Sequence, residues 1–75
     1  MEVSLSKLNE IFSSAFDCQI DLNPNTKKED VEQWDSINHL NLIVELSDSF
    51  DINFSPEEIE KITSIESLIN ILKDK

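Results

Sequence analysis

The chain has 75 residues, with 16 carboxylates against six lysines and a formal net charge of −10. That length holds one small domain, residues 1–75, and its charge is the wrong sign for gripping the phosphates of a nucleic acid. No segment approaches the roughly 18 apolar residues of a membrane span and no basic-then-apolar leader opens the chain, so a soluble, cytoplasmic protein is expected.

The first helix opens at Val3-Ser4-Leu5 and carries Leu5, Leu8, Ile11 or Phe12, Ala15 and Phe16 at i, i+3/i+4 spacing. Ser4 and Ser6 both suit its N-cap, and it is expected to end near Asp17. A stretch of roughly 18 residues follows, Cys18 to Asp35, too long to be a simple connection in a compact domain. Ile20, Leu22, Val31 and Trp34 are spaced too irregularly for an amphipathic helix, which predicts an ordered loop pinned to the core by those side chains. A helical turn near Lys28–Glu32 would shorten it. The lone Cys18 has no partner for a disulfide and no evident histidine partner, so it reads as a small buried or half-buried thiol.

The second helix is expected from Asp35/Ser36 to Phe50, with Asp35 as N-cap accepting from the amides of the first turn. On a helical wheel Leu40, Leu42, Ile43, Leu46 and Phe50 share one broad face, whereas Ile37 and Val44 fall beside Asn41 and Asp48. That misfit is informative: two branched apolar residues in line with a helix-start serine, on an acidic helix, suit a partner-binding surface of Ile37, Asn41, Val44 and Asp48. The charge distribution agrees. From Glu29 to Glu60 there are ten carboxylates and no lysine, while the remaining six acids and six lysines balance. All of the excess charge thus surrounds this helix and the segment after it, where it is read either as a solvated face that keeps a small protein soluble or as steering toward basic patches on partners.

Asp51-Ile52-Asn53-Phe54 ends the second helix in a chain without a single glycine, so Asp or Asn must supply any left-handed cap. Ser55-Pro56-Glu57-Glu58 has the form of a capping box with proline at N1, starting a short helix to about Ile62 with Ile59 and Ile62 inward. Thr63-Ser64-Ile65-Glu66 is read as a second capping box opening the last helix, with Ile65, Leu68, Ile69 and Leu72 apolar and Lys73 and Lys75 near its C-terminus. The result is all-α: a small antiparallel four-helix bundle, three longer helices and one short, with a long loop between helices 1 and 2.

Three kinds of chemistry can be weighed against this frame. A hydrolytic serine needs a base, an orienting acid and an oxyanion hole; the only histidine, His39, lies toward the core about 60° from Ser36 on the wheel. It is read as structural, and no catalytic residue is assigned. Asp21, Asn23, Asn25 and Glu32 fall at calcium-loop spacing, but Thr26 stands where glycine is needed, with Pro24, Lys27 and Lys28 inside the loop. An Asn/Pro/Thr-rich turn explains those residues better, and no metal site is expected. Glu57 and Glu58 are helix-start charges. A post-translational acceptor needs only an exposed hydroxyl at a helix start, where unpaired amides favour a phosphate ester, beside contacts that orient a modifying enzyme. Ser36 meets those conditions.

At this point the sequence resembles the acyl carrier protein family, in the broad sense that includes peptidyl and aminoacyl carriers. The resemblance spans essentially the whole chain and centres on Asp35-Ser36-Ile37, similar to the family's Asp-Ser-Leu core. Leu40, Ile43, Glu45-Leu46, Phe50-Asp51-Ile52, Glu57-Glu58-Ile59 and Ile62-Thr63 follow the family's order and spacing. It implies a non-catalytic carrier whose Ser36 receives 4′-phosphopantetheine from coenzyme A through a Mg²⁺-dependent phosphopantetheinyl transferase. The arm's thiol would then carry acyl groups as thioesters. Asp35 would cap the helix and contact the transferase, and Ile37 and Val44 would meet partner enzymes. Those partners would be loading ligases, synthases or transferases with basic docking patches, and the carrier itself a monomer. The bundle interior near Leu46, Phe54, Ile62 and Leu68 would shelter part of an acyl chain.

The chain also departs from the family pattern. Gln33-Trp34 stands where the family often has glycine, Asn38, Asn41 and Ser47 replace acids common in fatty-acid carriers, and Phe54 and Leu68 are bulky for a roomy pocket. These departures point to a specialised stand-alone acyl carrier. An aminoacyl or peptidyl carrier is the alternative within the family; a calcium-binding or non-catalytic interaction module is the alternative outside it.

Overall fold

A computed structural model describes residues 3–75. Its elements are α1 (Leu5–Phe16), a 3-10 turn (Lys28–Asp30), α2 (Ser36–Phe50), α3 (Pro56–Lys61) and α4 (Ile65–Lys73). Among the described residues there are four α-helices and no strand, only an isolated bridge between Lys27 and Ser64. The all-α bundle with a long first loop is thus as the apolar spacing predicts.

Ser4 caps α1, its hydroxyl accepting from the Lys7 amide at 3.1 Å, and Leu8, Ile11, Phe12, Ala15 and Phe16 form its buried stripe. Both α1 and α2 stop at an aspartate in the left-handed region, Asp17 (φ 54°) and Asp51 (φ 53°). In a glycine-free chain a short polar side chain is the least costly choice there.

The long loop is held to α1 by side chains that satisfy its backbone. Ser13 Oγ accepts from the Ile20 amide (3.0 Å) and Asn9 Oδ1 from the Leu22 amide (2.7 Å). Asn23 to Thr26 then close a tight turn: the Asn23 amide donates to Thr26 Oγ1 and the Asn25 amide to Asn23 Oδ1. Asn23 therefore spends its side-chain oxygen on its own turn. Beyond it the Lys28 amide donates to the Thr63 carbonyl (2.8 Å) and the Ile65 amide to the Thr26 carbonyl (2.9 Å), joining the loop to the α3–α4 junction.

That junction corrects the expected start of α4. Thr63 is occupied by pairing with the loop, so the helix begins one residue later: Ser64 is the N-cap and Ser67 its reciprocal partner, not Thr63 and Glu66. The α3 capping box is as expected, the Glu58 amide donating to Ser55 Oγ and the Ser55 amide to Glu58 Oε1. Lys75 does more than face the end of α4. Its Nζ reaches back to the Asn53 carbonyl and Glu58 Oε1, both at 2.8 Å, and lies 5.3 Å from the Phe54 ring centroid.

The core runs from α1 through α2 to Ile62 and α4, with Leu8, Phe12, Leu42, Leu46, Ile62, Ile65, Leu68 and Leu72 fully buried. The loop residues Ile20, Leu22 and Trp34 join it, and Val31 and Cys18 pack against it half-buried. No residue within α3 is fully buried.

Candidate functional site at the start of α2

Four consecutive residues divide the work at the start of α2. Trp34 is only 3% exposed and is wedged against Phe12 and Phe16 of α1, with ring centroids 5.1 and 6.2 Å away. Burying so large a ring fixes where the helix begins. Asp35 is the N-cap, its carboxylate accepting from the Asn38 amide at 2.8 Å. Ser36 and Ile37, the first two helical residues, are exposed. The inward tryptophan and the cap thus turn a hydroxyl outward at the positive end of a helix of 15 residues.

The flank is built of amides. Asn38 Nδ2 donates to the Gln33 carbonyl (2.8 Å) and Asn41 Nδ2 to Asn38 Oδ1 (3.3 Å), tying the loop's end to the first turns of the helix. No lysine or arginine lies in the sequence between Glu29 and Glu60.

His39 is turned away from Ser36. The Trp34 indole N–H donates to its Nδ1 at 2.9 Å, so Nδ1 carries a lone pair and Nε2 the hydrogen, which is donated to the Ile59 carbonyl of α3 at 2.8 Å. The ring is 9% exposed and stacked 6.2 Å from Trp34. With both nitrogens engaged, it binds loop, α2 and α3 together and offers Ser36 no base.

The exposed stripe is larger than the wheel implied. Ile37 is 74% exposed and Val44 60%, as expected, but Leu40, assigned to the core face, is also 60% exposed. The buried face is centred on His39, Leu42, Ile43 and Leu46, and Leu40 lies just beyond its edge. Phe50, expected inside, is half-buried. Ile37, Leu40 and Val44 therefore make one apolar line at i, i+3, i+7 running away from Ser36, with Asn41 and Asp48 exposed beside it. That spacing was the signal for Leu40; counting apolar residues onto a single core face hid it.

The residues expected to shelter cargo belong to the core. Leu46, Ile62 and Leu68 are fully buried and Phe54 packs half-buried against the same core.

Together these features define a small acidic helical bundle that presents Ser36 at the start of α2 beside an apolar stripe, the build of a carrier domain. No family model matches the chain, and no curated protein matches it. Among solved structures it is similar to the solution NMR structure of a holo acyl carrier protein from Geobacter metallireducens, at 35% identity and a TM-score of 0.83 over 95% of this chain and 83% of that one. The chain belongs to the acyl carrier protein family.

Proposed function

We propose that this protein carries acyl intermediates as thioesters on a 4′-phosphopantetheine arm attached to Ser36. The observation that carries the reading is the exposed Ser36 hydroxyl at the start of α2, behind the Asp35 cap, in a bundle similar to a holo acyl carrier protein. The site fits such a group: a phosphodiester on Ser36 would meet the unpaired first-turn amides and the positive end of the helix dipole. The arm supplies a terminal thiol at which acyl groups can be held.

In the attachment step the Ser36 oxygen forms a bond to the phosphorus bearing pantetheine, the pyrophosphate bond of coenzyme A breaks, and the bisphosphorylated adenosine half leaves. The serine proton must pass to the transferase, because His39 has both nitrogens engaged. Asp35 holds the helix start in register and presents a carboxylate to the transferase, and Mg²⁺ comes with that enzyme. The stripe of Ile37, Leu40 and Val44, with Asn41 and Asp48, is the surface for loading ligases, synthases and acyltransferases. The acidic run from Glu29 to Glu60 steers it toward basic patches on them. A monomer acting in the cytoplasm suits this role; among the described residues no helix is long and apolar enough to cross a membrane.

The test is intact mass after incubation with coenzyme A and a broad-specificity phosphopantetheinyl transferase. The chain is expected to gain one phosphopantetheine and Ser36→Ala none. A chain left unmodified while a control carrier is modified overturns the proposal.

A further inference from the structure

Resting on the attachment at Ser36, we infer that the Trp34–His39–Ile59 bridge bars the bundle interior to the cargo, so that this carrier holds a short or polar acyl group outside the bundle rather than a long aliphatic chain within it. The fully buried interior residues Leu42 and Leu46 lie on the inner face of α2, away from the exposed Ser36, with Ile62 and Leu68 buried in the same core. A chain anchored at Ser36 and entering between α2 and α3 meets His39 within one turn of its anchor.

There His39 is held by two short hydrogen bonds, accepting from Trp34 Nε1–H at Nδ1 and donating from Nε2–H to the Ile59 carbonyl, and the second of these ties α2 to α3. An aliphatic chain has no donor or acceptor with which to replace either, so entry would leave a buried indole N–H and a backbone carbonyl unpaired. The Trp34 ring cannot readily swing aside, because Phe12 sits edge-on behind it at 5.1 Å. Outside, a groove of about 570 Å³ adjoins Trp34 and is lined by Lys27, Lys28, Glu29, Thr63 and Ser64. The groove is open to solvent and of mixed polar and apolar lining, so it gives a long aliphatic chain no enclosed shelter.

The experiment loads the full chain with octanoyl-coenzyme A and a phosphopantetheinyl transferase. It then compares octanoyl and unacylated holo forms by methyl and indole NMR shifts, and follows thioester cleavage by hydroxylamine. The bridge predicts unchanged shifts for the Leu46, Ile62 and Leu68 methyls and the Trp34 indole N–H, and cleavage as fast as for free octanoyl-pantetheine. In His39→Ala, or in Trp34→Phe if the first variant does not fold, the same methyls are expected to shift and cleavage to slow several-fold. Core shifts with protected thioester in the natural chain overturn the cargo reading alone, whereas absence of the octanoyl mass overturns the attachment at Ser36. A bridge variant that folds and still excludes the chain overturns the assignment of the barrier to the bridge.

Discussion

The two faces of α2 differ in almost every property that a helix can vary. Its inner face, His39, Leu42, Ile43 and Leu46, is buried against the rest of the bundle and includes a histidine whose ring nitrogens reach both the preceding loop and α3. Its outer face begins at Ser36 and carries Ile37, Leu40 and Val44 in the open, with carboxylates and amides around them. The contrast teaches that one helix can hold the fold on one side and, in the proposed role, meet partners on the other. Apolar residues serve both sides, so hydrophobicity alone does not say which job a residue has.

The largest effect that would test this separation is on the inner face. Leu46→Ala is expected to cost about 2–5 kcal/mol in chemical denaturation, a large share of the total stability of a domain this small. A value below about 1 kcal/mol would mean that the inner face does not hold the bundle. His39→Ala comes next, at about 1–3 kcal/mol, because it orphans the indole N–H and the Ile59 carbonyl. Its signature is local: amide exchange should accelerate in α3 more than in α1, whose own five buried residues secure it.

On the outer face the expectation reverses. Leu40→Ser and Val44→Ser should leave the denaturation midpoint nearly unchanged while lowering the rate at which enzymes load or unload the arm. A destabilised Leu40→Ser variant would return that residue to the core. The smallest effect concerns Glu58, whose carboxyl is held below its ordinary value of 4.5, first by the Lys75 ammonium and then by the Ser55 amide. A lowered native value favours the charged form, so its stabilisation is present above that ordinary value and fades as pH falls through the still lower native one. Glu58→Gln should therefore be slightly less stable than the natural chain near neutrality and indistinguishable from it in strong acid. Being solvent-screened, the difference is small.

Much of this was legible in the sequence, and the rest was hidden for physical reasons. Capping chemistry is local: Asp35 and Ser55 could be placed from neighbours a few residues away, and the first cap narrowed to Ser4 or Ser6, of which Ser4 is the one used. The absence of glycine likewise pointed to aspartate or asparagine at any left-handed helix end, and Asp17 and Asp51 stand there. What failed depended on distant partners. Thr63 looks like a cap until the loop claims its carbonyl, which happens through Lys28, far along the chain. Leu40 looks like core until the buried face is seen to centre on His39, Leu42, Ile43 and Leu46, which leaves Leu40 outside it. Nothing in the spacing of a lone histidine announces an indole on one nitrogen and a carbonyl on the other. The helix-start serine was visible because its exposure follows from cap geometry alone.

The separation of the two faces converges on Ser36, and one experiment there tests it most directly. Natural chain and Ser36→Ala are melted in parallel and then offered coenzyme A and a phosphopantetheinyl transferase, with intact mass as the readout. The two should melt together, and only the natural chain should gain a phosphopantetheine, at Ser36. A Ser36→Ala chain that is modified as readily as the natural one, or a natural chain that is never modified, would contradict the account.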